Sequence, residues 1–406
     1  MTSQHAPPKS SRLHPVVKAM GWVSFFTDLS SEMIYPLLPI FVTGSLKASF
    51  AMFGLIEGLA EGIPALLRYF AGAWADRLRN RKWLILSGYS LSTLVKPLIG
   101  ASRYLGLALA PWAVLALRAL DKIGKGVRGA PRDALLADYS EGMQGRAFGY
   151  QRALDHAGAI AGGLTAYALL QWLELEIVWS ISLSIVPGIL AVLAIVFFVH
   201  DRHERRGQQP PLIEKRPPLS RCFWLYAVAA SLFALANSSD AFLLLRAHEM
   251  GMPAVLLPLA WALLHVVKSG TSFIGGALSD RWGRKPLLMA GWLLYAAIYA
   301  IFACAAGDMA LWPLFAAYGV FFGATEGVGK ALVADLVPAG NRGRAFGILG
   351  MLEGGLLIPS SILTGWLWDI TGSGAVPLLL NALCAVAAAV WLLLAVPAAP
   401  RFSYAG

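Results

Sequence analysis

A short charged motif occurs twice in the sequence, as Asp-Arg-Leu-Arg-Asn-Arg-Lys at 76–82 and as Asp-Arg-Trp-Gly-Arg-Lys at 280–285. Each copy follows a long apolar run and precedes another one. A second pair of segments repeats at a matching place: Ala-Leu-Leu-Ala-Asp at 134–138 and Ala-Leu-Val-Ala-Asp at 331–335 are each followed by Arg-Ala-Phe-Gly. Internal repeats constrain the architecture of a chain. A repeat of half the chain length indicates a duplicated membrane domain rather than a solenoid.

The composition requires a bilayer around most of the chain. Of the 406 residues, 57% are hydrophobic and only 14% are charged, whereas soluble domains carry about 25% charged residues. A bilayer core of about 30 Å needs about 20 helical residues, because each residue of an α-helix rises about 1.5 Å. Cutting the sequence at charged residues and at Pro/Gly breaks gives twelve sufficiently long runs. Their approximate limits are 15–44, 50–75, 82–103, 111–139, 145–172, 175–200, 221–247, 253–279, 285–307, 310–338, 343–370 and 373–398.

These runs predict an all-α integral membrane protein whose twelve transmembrane helices form two pseudo-symmetric six-helix bundles. We expect the bundles at 15–200 and 221–398. Residues 201–220 are rich in Arg, Pro and Gln and read as a flexible hydrophilic linker between them. Residues 1–14 and 399–406 are expected to form tails.

Positive charge is distributed unevenly over the loops. The net charge is +10, and most Lys and Arg residues between the runs lie on one side, together with the linker and both copies of the charged motif. Because short cytoplasmic loops are enriched in Lys and Arg, this pattern places that side and both termini in the cytoplasm of a multi-pass protein of the cell membrane. It also explains the basic composition without nucleic acid, which we do not expect as a partner.

The sequence contains no evident motif for catalysis or for a prosthetic group. The segment Gly-Lys-Gly at 124–126 lacks the strand–loop–helix context of a phosphate-binding loop. Cys222, Cys304 and Cys384 are far apart and show no metal-ligand spacing. We therefore expect neither an enzyme, nor a cofactor, nor a metal. The expected partners are the lipid bilayer, a small-molecule solute and a proton, and we expect a monomer.

Twelve spans arranged as six plus six, a basic central loop and the charged motif after the second span resemble the major facilitator superfamily. The resemblance covers the whole chain and implies the fold of that superfamily. The family motif runs from a glycine to an aspartate, an arginine and a basic pair; the second copy keeps this spacing and the first has one extra residue. The resemblance implies a cytoplasmic gate that latches the two halves together. Its residues here are Gly72, Asp76, Arg77, Arg81, Asp138, Gly276, Asp280, Arg281, Arg284 and Asp335.

Within this gate motif, Asp138 and Asp335 are the candidate partners of Arg81 and Arg284. A carboxylate gains energy from the dipole of a nearby helix N-terminus, and an arginine can bind a carboxylate through two nitrogens. The alternative is that these charges only set the topology. The run Phe-Phe-Thr-Asp-Leu-Ser-Ser-Glu-Met in the first span, together with residues 121–133 in the fourth, resembles a prokaryotic subgroup of the superfamily, and this likeness supplies no substrate.

Several spans contain charged residues near their middle, where an ionised side chain costs about 2.5–3.5 kcal/mol on insertion scales. Asp28 and Glu32 are four residues apart and therefore share one helical face. Two carboxylates that share a low-dielectric face repel each other, which favours a proton on one of them. Asp240 follows Ser-Ser in the seventh span as Glu32 does in the first. Proton coupling is one interpretation of these carboxylates, and permanent pairing with cations is the other.

The fourth span carries the densest polar stripe, with charged residues at three- and four-residue steps. Most deep charges lie in the first half, so we place recognition and proton coupling there and an apolar wall with Trp261 and Tyr318 in the second. Positive and negative side chains are nearly equal in number among these deep residues. The alternative for each of them is therefore an ion pair with another deep residue. The residues assigned to coupling or to the substrate cavity are Asp28, Glu32, Glu57, Glu61, Arg118, Asp121, Lys122, Lys125, Arg128, Arg152, Asp155, His156, Asp240 and Glu326.

These patterns favour a secondary active transporter that works by rocking of two six-helix halves, with alternating access to a central site. We expect proton-driven export of a drug or metabolite. The alternative is a proton symporter for an organic anion, in which Lys122, Lys125 and Arg128 form the pocket. A lipid flippase or a transporter-like receptor is a third, less favoured interpretation.

Overall fold

The computed structural model describes residues 13–75, 81–140, 142–200, 218–305, 307, 310–338 and 341–397, except for the side chains of 68–75 and Phe273. Within these ranges all regular structure is helical. Most of the expected linker, both expected tails, and Asp76 and Arg77 of the first charged motif lie outside the described residues.

The first half contains six helical segments. The first consists of α1, α2 and a π-helical turn at Phe41–Ser45, and the sixth consists of α7 and α8. The helices are α1 (Pro15–Glu32), α2 (Leu38–Ile40), α3 (Phe50–Ala75), α4 (Arg81–Ala101), α5 (Ala110–Asp138), α6 (Gln144–Gln171), α7 (Ile177–Leu183) and α8 (Ile185–Phe198). Short 3₁₀ turns follow α4 at Ser102–Leu105 and precede the eighth segment at Ala254–Leu256.

The second half repeats this arrangement with six further segments, of which the seventh is divided into α9 and α10. The helices are α9 (Arg221–Ala236), α10 (Ala241–Glu249), α11 (Leu257–Trp282), α12 (Arg284–Cys304), α13 (Leu311–Leu336), α14 (Arg342–Thr371) and α15 (Ala375–Ala395). In the described residues, eight of the twelve segments are long and apolar enough to cross a membrane. The other four, the first, fourth, fifth and tenth, carry charged side chains within the bundle.

As far as the structure describes the twelve expected runs, three of them are interrupted rather than continuous. Pro36 and Pro39 stand at the break in the first segment, and proline lacks the N–H that an uninterrupted helix needs. The sixth segment breaks at Ser184, whose hydroxyl donates to the carbonyl of Ile181 at 2.6 Å. In the seventh segment, the backbone N–H of Ser239 donates to the Ser361 hydroxyl at 3.0 Å instead of continuing the helix.

The outer faces of the helices are apolar. Phe197 and Phe198 are each 64% exposed and Leu394 is 78% exposed when no membrane surrounds the chain. Large contiguous apolar surface is unfavourable in water and favourable against lipid tails. The hydrocarbon region of a bilayer is the environment that this surface fits.

The two halves contact each other through glycines at the end of the bundle where α3 begins and α14 ends. A methyl group added at Gly58 would lie 3.0 Å from the carbonyl oxygen of Ile358, and one at Gly163 would lie 2.7 Å from that of Pro258. The Asp369 carboxylate caps α3, since it accepts hydrogen bonds from the backbone N–H groups of the first two residues of α3, both at 2.8 Å. Small residues allow such close helix packing within a membrane.

Nearer the opposite end of the bundle, several glycines have free space beside them. A methyl group at Gly149, Gly270, Gly327 or Gly355 would meet no atom within 4 Å. The halves are therefore packed tightly at the end remote from the charged motifs, and open space adjoins their helices toward the other end.

This difference predicts opposite outcomes for two equivalent substitutions. Gly54→Ala places a methyl group against the backbone carbonyl of Ser361, and overpacking of this kind costs about 1–3 kcal/mol. Gly355→Ala, the control, meets no neighbour and gains up to about 1 kcal/mol of helix propensity. We expect Gly54→Ala to lower the thermal unfolding midpoint of the purified protein and Gly355→Ala to leave it unchanged or raise it. Equal midpoints for the two variants would contradict the described packing.

Candidate functional site

A cavity of about 360 Å³ lies between the two halves. Its wall is formed by α1, α3, α4 and α5 of the first half, by the break between α9 and α10, and by α11, α13 and α14 of the second half. Nine of the residues assigned from the sequence line it: Asp28, Glu32, Glu61, Arg118, Asp121, Lys122, Lys125, Arg128 and Asp240. The other five, which are not among its lining residues, are Glu57, Arg152, Asp155, His156 and Glu326.

The helix α5 supplies five of the ten charged residues that line the cavity, because its charged residues recur at three- and four-residue steps, so several share a face. This helix packs against α4 at the glycine pair Gly88 and Gly124, where an added methyl group at Gly124 would lie 2.7 Å from the Gly88 carbonyl. The close approach allows Arg128 to donate to the same Gly88 carbonyl at 3.3 Å. The Arg128 guanidinium also stacks on the ring of Tyr89, 4.0 Å from its centroid.

The most deeply buried ion pair joins Arg118 to Glu57. The Arg118 Nη2 lies 2.6 Å from Glu57 Oε1, and the Glu57 side chain is fully buried. The other oxygen of Glu57 accepts a hydrogen bond from the Ser239 hydroxyl of the second half at 3.3 Å. Arg118 also lies 3.8 Å from Asp121, which in turn accepts a hydrogen bond from Ser92. This cluster satisfies both carboxylates in a low-dielectric interior.

A second pair lies one helical turn away, where Lys122 donates to Glu61 at 2.8 Å. Lys96 of α4 donates to the hydroxyls of Ser30 and Ser31 in α1, each at 3.0 Å. The alternative of mutual pairing therefore describes Glu57, Glu61, Arg118, Asp121 and Lys122. These residues give the first half a rigid polar interior.

Two aromatic residues of the second half hydrogen-bond to carboxylates. Trp261 Nε1 donates to Glu32 Oε2 at 2.7 Å and so joins the two halves. Tyr318 donates its hydroxyl to Asp240 Oδ1 at 2.6 Å within the second half. Trp261 lines the cavity, whereas Tyr318 is fully buried and is not among its lining residues. The second half contributes Asp240 and Lys268 to the wall, which is therefore less apolar than the sequence predicted.

A separate charged cluster joins α6 to α11 and α13. Arg152 forms an ion pair with Glu326 across the two halves, and Lys268 Nζ lies 3.3 Å from the other oxygen of Glu326. The rings of His156 and His265 face each other across the same gap, with centroids 6.5 Å apart. Asp155 accepts a hydrogen bond from Gln151 at 3.3 Å.

The sequence assignment omitted His265 and Lys268, although both line the cavity. The available signal was spacing: Trp261, His265 and Lys268 follow one another at four and three residues, which places them on one face of α11. Lys268 also lies over the ring of Phe322, with its Nζ 4.0 Å from the centroid. A lysine held by both a carboxylate and an aromatic face is a fixed part of the wall.

Four polar groups on the cavity wall have no partner among the described residues. Asp28 and Lys125 form neither a hydrogen bond nor an ion pair there. Both ring nitrogens of His265 and the Oδ1 atom of Asn237 are buried and also lack hydrogen bonds within the described part of the chain. Unsatisfied buried polar groups are unfavourable unless water or a ligand binds them.

Four of the gate-motif residues that the structure describes form ion pairs, each within one half. Arg81 Nη1 lies 2.7 Å from Asp138 Oδ2, and Arg284 Nη1 lies 2.5 Å from Asp335 Oδ2. The structure thus brings together the candidate partners in both repeats, and each pair joins consecutive helices of one half rather than the two halves. The side chains of Asp280 and Arg281 are exposed, space is free beside Gly276, and Gly72 lies in α3.

The sequence also matches known proteins. The family model of the Major Facilitator Superfamily matches residues 20–354 and 266–405. The chain belongs to this superfamily. An uncharacterised MFS-type transporter of Methanocaldococcus jannaschii is 32% identical over 362 residues, which cover 87% of this chain and 89% of that protein. The chain is therefore a multi-pass membrane transporter and not an enzyme.

Two further proteins resemble this chain either over a shorter stretch or at a lower sequence identity. The multidrug resistance protein MdtH of Yersinia enterocolitica is 33% identical over 119 residues, which cover 29% of this chain and 30% of that protein. The crystal structure of the nucleoside transporter NupG superposes with a TM-score of 0.75 at 15% identity, over 93% of this chain and 98% of that one. This second likeness concerns the fold alone.

We expect a large loss of stability when the buried ion pair of Glu57 with Arg118 is broken. Glu57→Gln leaves the Arg118 charge without its nearest carboxylate, and removing one partner of a buried pair costs about 3–5 kcal/mol. Glu61→Gln serves as the control, because the side chain of Glu61 is 39% exposed in its pair with Lys122. We expect a much lower thermal midpoint for Glu57→Gln than for Glu61→Gln. A comparable decrease in both would argue against a structural role of the buried pair.

The ion pair between Arg152 and Glu326 predicts a change in the separation of the two halves. Arg152→Gln removes a charge-assisted contact across the gap, so the ends of α6 and α13 should move apart. Spin labels on cysteines introduced at Gly149 and Gly327, where space is free, report this distance by electron paramagnetic resonance in a background without the native cysteines.

The double variant Arg152→Glu/Glu326→Arg restores opposite charges and should return the distances to those of the unmodified pair. The Lys47→Asn variant, altered in a loop remote from the gap, is the control. Unchanged distances in Arg152→Gln would show that the pair does not hold the halves together.

Proposed function

We propose that this MFS protein is a secondary active transporter that moves a small polar solute across the cell membrane by alternating access and couples this movement to protons. The observation that carries the proposal is the charged cavity between two halves that are packed tightly at one end of the bundle. Rocking about that end changes the side from which the cavity is accessible.

The orientation follows from the loop charges. With the basic loops in the cytoplasm, both termini are cytoplasmic, and the glycine-mediated contact lies toward the outside. The cavity then faces inward in this conformation. We place the two moving units at the domain limits 15–200 and 221–398; the two ion pairs of the charged motifs that the structure describes each lie within one of these units.

Asp28 and Glu32 are the groups best suited to proton coupling. Asp28 has no hydrogen-bond or ion-pair partner among the described residues and lies close enough to Asp155 and Lys125 for electrostatic interaction. An ionised Glu32 accepts a strong, charge-assisted hydrogen bond from Trp261 of the other half. Protonation of Glu32 weakens this hydrogen bond, so the proton occupancy of Glu32 is linked to a contact between the halves.

The likeness to MdtH over part of the chain favours export. The polar wall favours a small polar metabolite over a lipophilic drug, because an apolar solute would leave the charged groups of the wall without water or a partner. The alternative is symport of a proton and an organic anion. The free ammonium group of Lys125 supports that alternative, whereas Lys122 and Arg128 are already held by Glu61 and by the Gly88 carbonyl.

Proton coupling predicts solute-dependent proton flux. Inverted membrane vesicles that hold a proton gradient are supplied separately with 4-aminobutyrate, benzoate or tetraphenylphosphonium, and the gradient is followed with a pH-sensitive dye. We expect at least one solute to dissipate part of the gradient. The Asp28→Asn and Glu32→Gln variants should abolish this response, because neither amide can exchange a proton.

The Glu174→Asn variant, altered in an exposed loop, is the control and should behave as the unmodified protein. Cysteine labelling or size-exclusion profiles establish that each variant is folded. Transport of a labelled solute that stays equally fast after a protonophore collapses the gradient would exclude proton coupling.

A further inference from the structure

We infer that the cavity recognises a zwitterionic solute, whose cationic group binds Asp28 and whose anionic group binds Lys125. This inference rests on the proposed transport function and specifies the class of its substrate. It follows from which charged groups on the cavity wall already have a hydrogen-bond or ion-pair partner in the described part of the protein and which do not.

Most charges of the wall are engaged by the protein itself. The contacts described above occupy every charged lining side chain in the described residues other than Asp28 and Lys125. The free carboxylate and the free ammonium are not within ion-pair distance of each other, although they interact electrostatically. Among the charged lining groups of the described residues, one carboxylate and one ammonium therefore have no hydrogen-bond or ion-pair partner.

These two groups lie at the same depth in the bundle. Asp28 is thirteen residues from the start of α1, and Lys125 is thirteen residues from the end of α5. At about 1.5 Å per residue, each lies about 20 Å along its helix from that end. Val17 and Leu135, which lie near those two helix ends, belong to the same buried cluster, and Asp28 and Lys125 line the same cavity.

A solute with a single charge would satisfy only one of the two groups. The other would remain a charge in a low-dielectric cavity without a partner, which is unfavourable. A zwitterion neutralises both at once and adds no net charge to the cavity. Its two charged groups would also replace the hydration that each side chain loses when the cavity closes.

The second half offers neutral polar groups to the rest of the solute. The ring nitrogens of His265 and the Oδ1 atom of Asn237 lack hydrogen bonds among the described residues. The cation of that wall, Lys268, is held by Glu326 and by the ring of Phe322. A volume of about 360 Å³ is near the lower end of small-molecule cavities, which span about 300–1,000 Å³, so the solute is small.

Probes that differ only in charge test this assignment on the purified full-length protein. The zwitterions β-alanine, 4-aminobutyrate and 5-aminopentanoate scan the separation of the two charges. Each is compared with the alkylammonium ion and the carboxylate of matching length, with ligand-induced thermal stabilisation as the measurement. We expect at least one zwitterion to have an apparent Kd at least about tenfold below those of both its singly charged analogues, equivalent to about 1.4 kcal/mol.

Variants assign the two contacts. Asp28→Asn should remove the advantage of the zwitterion over the carboxylate, because the carboxylate then leaves no Asp28 charge unpaired in the cavity. Lys125→Gln should remove its advantage over the alkylammonium ion. Glu174→Asn and Lys47→Asn, each altered in an exposed loop, are the matched controls and should respond as the unmodified protein does.

Each other outcome overturns the inference. Equal stabilisation by the carboxylate alone indicates an organic anion, and equal stabilisation by the alkylammonium ion indicates a cation. Absence of stabilisation by all probes, or unchanged responses in both variants, shows that Asp28 and Lys125 do not bind a zwitterion. Because this assay requires neither transport nor a gradient, its failure is separate from failure of the vesicle assay, which tests the transport function.

Discussion

The fully buried carboxylate of Glu57 is the constraint on which the rest of the site depends. An ionised carboxylate in a low-dielectric interior needs a cation and hydrogen bonds, and Glu57 obtains them from Arg118 of α5 and Ser239 of the second half. This arrangement fixes α5 against α3 and aligns the break between α9 and α10 with the first half. With Arg118 fixed, Asp121 reaches Ser92 of α4. One buried group thus orients four segments.

The sequence allowed much of the fold to be predicted because membrane spans are encoded locally. Apolar runs and charged loops specify the helices, and the duplicated motif related the two halves and led to the pairs of Arg81 with Asp138 and of Arg284 with Asp335. The breaks at Ser184 and Ser239 could not be predicted in the same way. Ser239 leaves the helix because its N–H bonds to Ser361, a residue more than a hundred positions away. Only the tertiary arrangement provides that acceptor.

In the candidate site, too, some features follow from the local sequence and others depend on how the helices pack. Helical periodicity placed the charges of α5 on shared faces, and α5 then pairs in register with α3: Glu57 with Arg118, and Glu61 with Lys122 one turn further along each helix. Periodicity does not determine which charges remain unpaired. Asp28 lies on the same face of α1 as Glu32, but only Glu32 is within reach of Trp261. The choice of partner depends on packing between helices.

Some charged groups of the site have a partner in the protein and others have none, and this difference has a consequence for transport. A cavity in which every charge were neutralised by the protein would have no electrostatic reason to bind an ionic solute or a proton, and its ion pairs would hold one conformation. In the described residues the structural charges are paired mainly within one half, whereas few polar contacts cross between the halves at or near the cavity: Glu32 with Trp261, Glu57 with Ser239 and Arg152 with Glu326. The extensive contact between the halves is instead made by glycines through van der Waals packing. Contacts of this kind can separate without leaving buried charges unpaired, so the halves can move while each keeps its own ion pairs.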